Sequence, residues 1–211
     1  MKTLSQFIGL IVVASLAACG GSNNPEATET NEPAVKQCTY AYAEGSLSVT
    51  WTAYKTTEKI GVSGSFDTLH VSGTQTANSV GEVFANADFS IPVSTVNSNN
   101  PDRDKKILAS FFGTMTETTM LSGKVIGISD NDCSVVINMN GVSDTCLFTL
   151  TKSDTAVSLI GVLELGNWSA LKSADALNKV CFDLHKGADG VSKLWPDVKL
   201  EISAGITEIC D

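Results

Sequence analysis

Apolar and polar residues alternate with a period of two over much of the chain between residues 47 and 206. Alternation of this kind is typical of a β-strand with one buried face. The first block places Leu47, Val49, Trp51 and Ala53 on one face. We predict about eight strands and a mainly β fold, because antiparallel strands with one apolar face close most simply into a barrel. The blocks after the first cover residues 60–69, 83–91, 115–128, 135–139, 147–151, 157–165 and 198–206.

A segment at residues 97–112 interrupts the strand pattern and predicts a turn followed by a short helix. Asn100-Pro101 favours the turn, and Asp102 can cap the helix or lie in its first turn, near the positive end of the helix dipole. The apolar residues that follow recur at helical spacing and would bury one side of the helix. We expect a lid over the end of the barrel, with four residues on its inner side: Ile107, Leu108, Phe111 and Phe112.

A second helix is predicted between the seventh and eighth strands and is expected to end at Gly187. Strands that alternate in direction would place it at the same end of the barrel as the first helix, and we predict the mouth of the barrel there. Its apolar side would contain Leu171, Ala174, Leu177, Cys181 and Leu184.

The first helical segment also resembles a family signature. Asn99-x-Pro101-Asp102-Arg103-Asp104-x-x-Ile107-Leu108-x-Ser110-Phe111-Phe112 is similar to the N-x-x-R-D-x-x-L-x-S-x-x-F-F region of the YceI-like family, the polyisoprenoid-binding, lipocalin-like proteins. Lys105-Lys106 stands where the family usually has a His, and the family spacing before the paired Phe is usually one residue longer. Residues 83–96 and 135–142 also resemble family segments. The likeness covers about residues 45–205 and implies a lipocalin-like barrel with two lid helices.

The same resemblance implies a long isoprenoid chain, such as a quinone tail or a polyprenyl lipid, inside the barrel. Small residues on the inward faces, such as Gly64, Ala85 and Gly161, favour an open lumen over a filled one. The alternative is a filled barrel that serves as a structural or interaction protein of the cell envelope. If the lumen is open, the expected lining is Leu47, Val49, Trp51, Val62, Phe66, Phe89, Leu108, Phe111, Phe112, Val135, Ile137, Met139, Leu163, Leu177 and Ile202.

The first 18 residues indicate export. Lys2 precedes an apolar run at residues 7–18, which is too short for a permanent membrane-spanning helix. The run ends in Leu16-Ala17-Ala18-Cys19, which resembles the lipobox at which bacterial lipoprotein precursors are cleaved and acylated on the cysteine. Gly20 then follows Cys19, and by resemblance to lipoprotein sorting rules this favours the periplasmic face of the outer membrane. We therefore predict a signal peptide at 1–18 and a lipid anchor on Cys19.

Composition separates a tether from the folded domain. Residues 19–37 contain mainly Gly, Ser, Asn, Pro, Glu and Thr, so they cannot bury enough apolar surface to form a core. Residues 38–211 have the length of one domain. The chain carries a net charge of −9, and residues 1–18 contribute one Lys and no acid. An acidic chain without Lys/Arg clusters argues against nucleic-acid binding and against electrostatic docking on anionic lipid.

Five cysteines remain after Cys19 in a compartment that permits disulfides. We expect Cys146, at the start of the sixth strand, to bond with Cys181 on the second helix. Cys38 and Cys210 form a plausible second pair, because the start of the first strand opposes the end of the last. Cys133 is then unpaired or replaces one of these partners. A Cys133–Cys146 bond is not expected, because across the Gly141 turn Cys146 should face about Met139.

Catalytic arrangements are poorly represented in the sequence. His70 and His185 are the only histidines, so a histidine-based metal cluster or catalytic triad has little material. Cys181 and His185 are one helical turn apart, but a cysteine on an apolar stripe is more typical of a core or a disulfide. The sequence contains neither a phosphate-binding Gly loop nor a Gly-x-Ser-x-Gly elbow. We predict a protein that is not an enzyme and holds no metal.

Overall fold

The structure is a computed structural model that describes residues 36–117 and 119–211. The predicted signal peptide, the lipobox with Cys19 and almost all of the predicted tether lie outside the described residues. The described residues contain eleven strands and two α-helices. The strands are β1 (Cys38–Tyr42), β2 (Ser48–Lys55), β3 (Ile60–Phe66), β4 (His70–Ser72), β5 (Asp88–Pro92), β6 (Val96–Asn97), β7 (Met120–Ile128), β8 (Asp132–Met139), β9 (Val142–Ser153), β10 (Ala156–Glu164) and β11 (Leu194–Cys210).

The strands form a single antiparallel sheet that curls into a barrel. Its hydrogen-bonded order is β4-β5-β7-β8-β9-β10-β11-β2-β3-β6, and β1 adds to the far end of β11. β3 continues into β4 after three residues, and β5 continues into β6 through the 3₁₀ turn Val93–Thr95. These two interrupted strands pair with each other, β3 with β6 and β4 with β5, so the ring is joined at this seam. Merged in this way, the ring has eight strands, and the predicted barrel is confirmed.

Two predicted strands begin later than the alternation suggested. The block at 83–91 is a strand only from Asp88, because Gly81–Phe84 forms a 3₁₀ turn and Ala85 lies in the loop after it. The block at 115–128 is a strand only from Met120. β1 lies outside the alternating blocks and was not predicted. Alternation alone therefore located the strands of the ring. It missed β1 and the starts of two strands.

Both predicted helices are present, and both pack at one end of the barrel, which we call the helical end. The first is α1 (Pro101–Lys106), which continues through a π-helical turn (Ile107–Phe111) into a 3₁₀ turn (Phe112–Thr114). Asn100 is its N-cap and accepts a hydrogen bond from the Arg103 N–H at 3.0 Å. Asp102, for which either the cap or the first turn was predicted, lies in the first turn, and Asn100 was predicted only as part of the turn before the helix.

The second helix, α2 (Leu171–Val180), ends before the predicted stop at Gly187 and leads into a 3₁₀ turn, Phe182–His185. Ala174 and Cys181 are buried as expected, but Leu171 and Leu184 are exposed. The predicted apolar side is therefore wrong at both ends of the segment. At Leu184 the reason is that the α-helical turns stop at Val180, so the 3.6-residue spacing does not extend that far, whereas Leu171 is the first residue of α2.

The opposite end of the barrel, which we call the turn end, carries the one disulfide of the described residues. Cys38 and Cys210 are directly opposite each other in the β1–β11 ladder, and they are bonded. The expected Cys146–Cys181 bond is absent, because Cys146 packs in the barrel core on β9 while Cys181 follows α2 outside that core cluster. Cys133 and Cys146 are also unlinked, as expected. However, the register places Cys146 opposite Val135 instead of Met139, since β9 begins four residues before it.

Candidate functional site

The inside of the barrel contains a cavity of about 240 Å³ that runs between the two ends. Apart from His70 and Asp88, its lining side chains are apolar or aromatic, with Gly and Cys133 between them. The indole N–H groups of Trp51 and Trp195 are already bonded, to the carbonyls of Ser65 and Thr56. An apolar cavity of roughly 150 Å³ stays dry and accepts small apolar guests, so this lumen is suited to hydrocarbon.

Aromatic rings lie flat along the wall of this cavity, over glycines on the neighbouring strand. A Cβ added to Gly64 would lie 2.2 Å from the Trp51 ring, and one added to Gly161 would lie 2.6 Å from the Phe148 ring. Gly123 is covered in the same way by Phe89. The sequence argument took inward Gly64 and Gly161 as empty space. Their contribution is different, because each lets a ring lie against the wall instead of projecting into the lumen.

At the helical end, apolar side chains close the cavity. The Phe111 and Phe112 rings meet edge to face at 5.1 Å, and Phe112 is buried. The Ser98 N–H donates to the Asp104 carboxylate at 2.9 Å, and the Ser98 hydroxyl donates to the same oxygen at 2.5 Å. These two bonds fix the start of the lid. The two helical segments are joined by a hydrogen bond between the hydroxyls of Thr114 and the buried Ser173, at 3.0 Å. The lid is therefore a packed layer attached by a few polar contacts.

At the turn end, aromatic side chains and a 3₁₀ turn border the cavity. The 3₁₀ turn Gly81–Phe84 brings Phe84 against Tyr42, with ring centroids 5.6 Å apart. His70 and Asp88 are the exposed residues of the lining, on the paired strands β4 and β5. Because Phe89 faces the cavity, Asp88 lies on the outer face of β5, where it pairs with Lys124 at 2.9 Å. These two residues therefore do not form a polar mouth, and the mouth at the helical end stays a prediction.

Thirteen of the fifteen residues predicted to line the lumen do line the cavity. Val62 does not, because the first part of β3 pairs only with β2 and extends past the short β6. Leu108 packs against the core cluster without reaching the cavity, whereas Ile107 and Phe111 of the same π-helical turn do line it. The thirteen are Leu47, Val49, Trp51, Phe66, Phe89, Phe111, Phe112, Val135, Ile137, Met139, Leu163, Leu177 and Ile202.

Sequence reasoning missed other parts of the lining. Leu159 and Leu200 carried the right signal, since both lie on predicted inward faces. Phe148 could have been found from its position between Cys146 and Leu150, which also point inward. Phe84 had no such signal, because alternation across residues 83–91 places it on the outward face. Trp195 lies before the last alternating block.

The titratable groups inside or near the barrel are poorly suited to nucleophilic chemistry. Burial raises the pKa of the Cys133 thiol, which lines the cavity, to about 11. Burial also raises the pKa of Cys146 and of Cys181, so all three thiols stay protonated near neutral pH. Burial, together with the charges of Lys55 and Lys106, lowers the pKa of His185 to about 4, and its ring is neutral. The thiolate that a reactive cysteine needs is thus disfavoured.

Among the described residues, one group of three side chains has metal-ligand spacing: Cys38, Glu208 and Cys210. Its two sulfurs are joined in the disulfide and are not thiolate ligands.

No helix in the described part of the chain is long and apolar enough to cross a membrane.

Comparison with solved structures finds three similar proteins that we report here. A polyisoprenoid binding domain from Saccharophagus degradans matches with a TM-score of 0.56 and 12% identity, over 82% of this chain and 98% of that domain. BcnA of Burkholderia cenocepacia matches with a TM-score of 0.48 and 10% identity, over 76% and 96% of the two chains. A YCEI protein of Campylobacter jejuni matches with a TM-score of 0.46 and 14% identity, over 71% and 85%.

No family model and no curated protein matches the sequence. At 12% identity, the first of these similarities establishes the fold, and the fold implied by the resemblance to the YceI-like family is confirmed.

Proposed function

We propose that this protein binds a long-chain isoprenoid lipid, such as a quinone or a polyprenyl lipid, in the lumen of its barrel. The observation that carries the proposal is the continuous apolar lining, which extends from Phe84 at the turn end to Leu177 at the helical end. The domain from Saccharophagus degradans that shares this fold is described as polyisoprenoid-binding, which supports the same ligand class here.

Apolar burial alone is sufficient for such a ligand. About 20 buried tail carbons at roughly 0.8 kcal/mol each would contribute about 16 kcal/mol before the costs of ordering and association. The lumen needs no charged anchor, and the only ionisable side chains besides Cys133 that border it are His70 and Asp88, of which Asp88 is already paired with Lys124. We propose a role in carriage, storage or sensing of the lipid, without catalysis.

The alternative of a filled barrel is less well supported. Trp51, Phe66, Phe89 and Met139, the large residues expected to fill such a core, all border the cavity. Trp51 and Phe89 lie over glycines and leave the space between opposite walls open.

The lipid should be found in the protein as it is made by the cell. We expect native mass spectrometry of the full chain, isolated gently from membranes, to detect a bound isoprenoid that organic solvent extracts. Val135→Phe places a ring in the lumen from β8 and should lower the bound fraction several-fold. Val136→Phe makes the same substitution at the next residue of β8, which lies on the outer face, and should leave the bound fraction unchanged. Extraction of no isoprenoid, or equal loss in both variants, would count against the proposal.

We also propose that acylated Cys19 anchors the protein at the periplasmic face of the outer membrane, with residues 20–37 as a spacer. The support is the lipobox-like sequence before Cys19 and the polar composition after it. Cells that carry Cys19→Ser should no longer incorporate labelled fatty acid into the protein, and it should move from the membrane to the soluble fraction. Retained label in this variant would exclude Cys19 as the acylated residue.

A further inference from the structure

Exposed apolar side chains are concentrated in one segment of the helical end. Residues 179–193, which we call the basic loop, contain exposed Val180, Phe182, Leu184 and Val191 within twelve positions. They belong to the end of α2, the 3₁₀ turn and the loop that returns to β11. Exposed apolar groups collected in this way mark an interaction surface more often than scattered ones do.

Lysines surround these apolar side chains. Lys179, Lys186 and Lys193 lie on the basic loop, and the Lys55 ammonium donates to the Leu184 carbonyl at 2.8 Å. The Lys186 ammonium lies 4.9 Å from the centre of the Phe182 ring and 3.1 Å from Asp183. Within the described part of the chain, Lys55, Lys179 and Lys193 form no ion pair. No carboxylate in that part of the chain neutralises these three charges, although the Lys193 ammonium lies 3.3 Å from the centre of the Trp195 ring.

The charge of the chain is unevenly distributed between this end and the rest. The connections between strands at the helical end, residues 56–59, 98–119, 140–141 and 165–193, contain eight Lys and Arg against seven Asp and Glu. The other residues from 36 to 211 contain five against thirteen. The negative net charge, which argued against docking on anionic lipid, therefore belongs to the rest of the barrel.

A second exposed apolar patch, on the outer face of the barrel, lacks this combination. Leu147, Ile160 and Val162 are exposed on β9 and β10. The nearest lysines, Lys59 and Lys199, are paired with Asp197 at 2.8 Å and with Glu201 at 3.0 Å. This patch has similar apolar side chains without free positive charge, which makes it a suitable control.

We propose that the basic loop docks the helical end on an anionic phospholipid surface, with Phe182 and Leu184 inserted at the interface and the lysines among the headgroups. Aromatic and aliphatic side chains combined with Lys are the usual composition of interfacial anchors, and lysines near an anionic bilayer add favourable electrostatic energy. This docking surface goes beyond binding of a lipid in the lumen and does not depend on it.

Hydrogen exchange of the full chain, measured with and without vesicles, tests the proposal by region. Phosphatidylglycerol vesicles should slow amide exchange several-fold in residues 179–193 and leave residues 143–164 unchanged. Phosphatidylcholine vesicles should give much less protection. A regional measurement is needed because the proposed acyl anchor on Cys19 would attach the protein to any vesicle, whichever surface docks. Absence of protection in the basic loop, or equal protection by both lipids, would overturn the proposal.

Matched double variants complete the test. Phe182→Ser with Leu184→Ser should reduce the protection of the loop by roughly tenfold, since two inserted apolar side chains are lost. Leu147→Ser with Ile160→Ser removes two side chains of comparable exposed fraction from the outer face and should leave the loop protection intact. Equal effects of the two variants would overturn the assignment to this segment. Both variants should retain lumen lipid, so a negative result here leaves the binding proposal standing.

Discussion

The two ends of the barrel are held by different kinds of interaction. At the turn end, β1 is fastened to β11 by five register pairs and by the Cys38–Cys210 disulfide. At the helical end, Phe111, Phe112 and Leu177 close the lumen by side-chain packing, with polar contacts such as Thr114 to Ser173 between the segments. One end is therefore closed by covalent and backbone bonds, and the other by apolar contacts around a π-helical turn.

This difference indicates which end can rearrange. Displacing the lid requires the loss of apolar contacts and a few hydrogen bonds, whereas displacing β1 requires breaking a ladder and a disulfide. Local opening in proteins begins in regions with few backbone ladders. We therefore expect the helical end to open more readily than the turn end, and the following changes test that expectation.

The largest effect is expected at the turn end. Cys38→Ser together with Cys210→Ser removes a crosslink between residues 172 positions apart and should lower the free energy of unfolding by about 4 kcal/mol. Urea denaturation of the variant and of the untreated protein measures the loss. Reductant should lower the free energy of unfolding of the unsubstituted protein to that of the variant. It should leave the free energy of unfolding of the variant unchanged. A loss below about 1 kcal/mol would mean that the ladder alone holds this end.

A smaller effect is expected in the wall between the two ends. Gly161→Ala would force the fully buried Phe148 ring out of its place, and we expect a loss of about 2 kcal/mol together with a lower content of lumen lipid. Gly127→Ala is the control, since its Cβ would meet Ser134 at an ordinary 3.7 Å. Thermal melting and lipid extraction of both variants measure these effects. If both lose the same stability, the ring over Gly161 is not the cause.

Trp168 tests the packing of the helical end. It is 1% exposed, and its indole N–H donates to the Ile137 carbonyl at 2.8 Å. Trp168→Phe removes that bond, while the Ile137 carbonyl keeps its ladder pairing with Asp144, and it should cost about 1 kcal/mol, measured by urea denaturation. Trp195→Phe removes a similar bond, to the Thr56 carbonyl, from a less buried ring and should cost less. The reverse order would show that the Trp195 side of this end carries more of the packing.

The sequence was sufficient for the barrel because a period of two survives wherever one face of a strand is buried. It placed Trp51, Val135 and Ile202 on the lumen correctly, since each lies in a strand paired on both sides. It failed for Phe84, because a 3₁₀ turn can imitate alternation over four residues. It failed for Val62 because the short partner strand β6 leaves that part of β3 outside the lumen.

The disulfides show the same limit. Cys38 and Cys210 were correctly paired from the order of the strands, since the first and last strands must meet when a barrel closes. Cys146 with Cys181 failed because that pairing required the depth of Cys146 along β9, which depends on strand register. The sequence alone did not give that register. The charge separation between the ends was hidden for a related reason, because net charge carries no information about position.

The last test concerns His185, at the helical end, whose effect appears only in acid. Its pKa is lowered to about 4, and its Nδ1 lies 2.8 Å from the Asn178 amide oxygen. Between pH 6.5 and 4 the unfolded chain binds a proton at this residue while the folded chain does not, so folding stability should fall as pH decreases through this window. His185→Gln keeps a side chain able to hydrogen-bond but cannot titrate, and it should lose less stability over the same window. Urea denaturation of both proteins at pH 7 and pH 4.5 measures the difference. Equal losses would show that acid acts elsewhere, and hydrogen exchange at pH 4.5 should then show whether the turn end opens first.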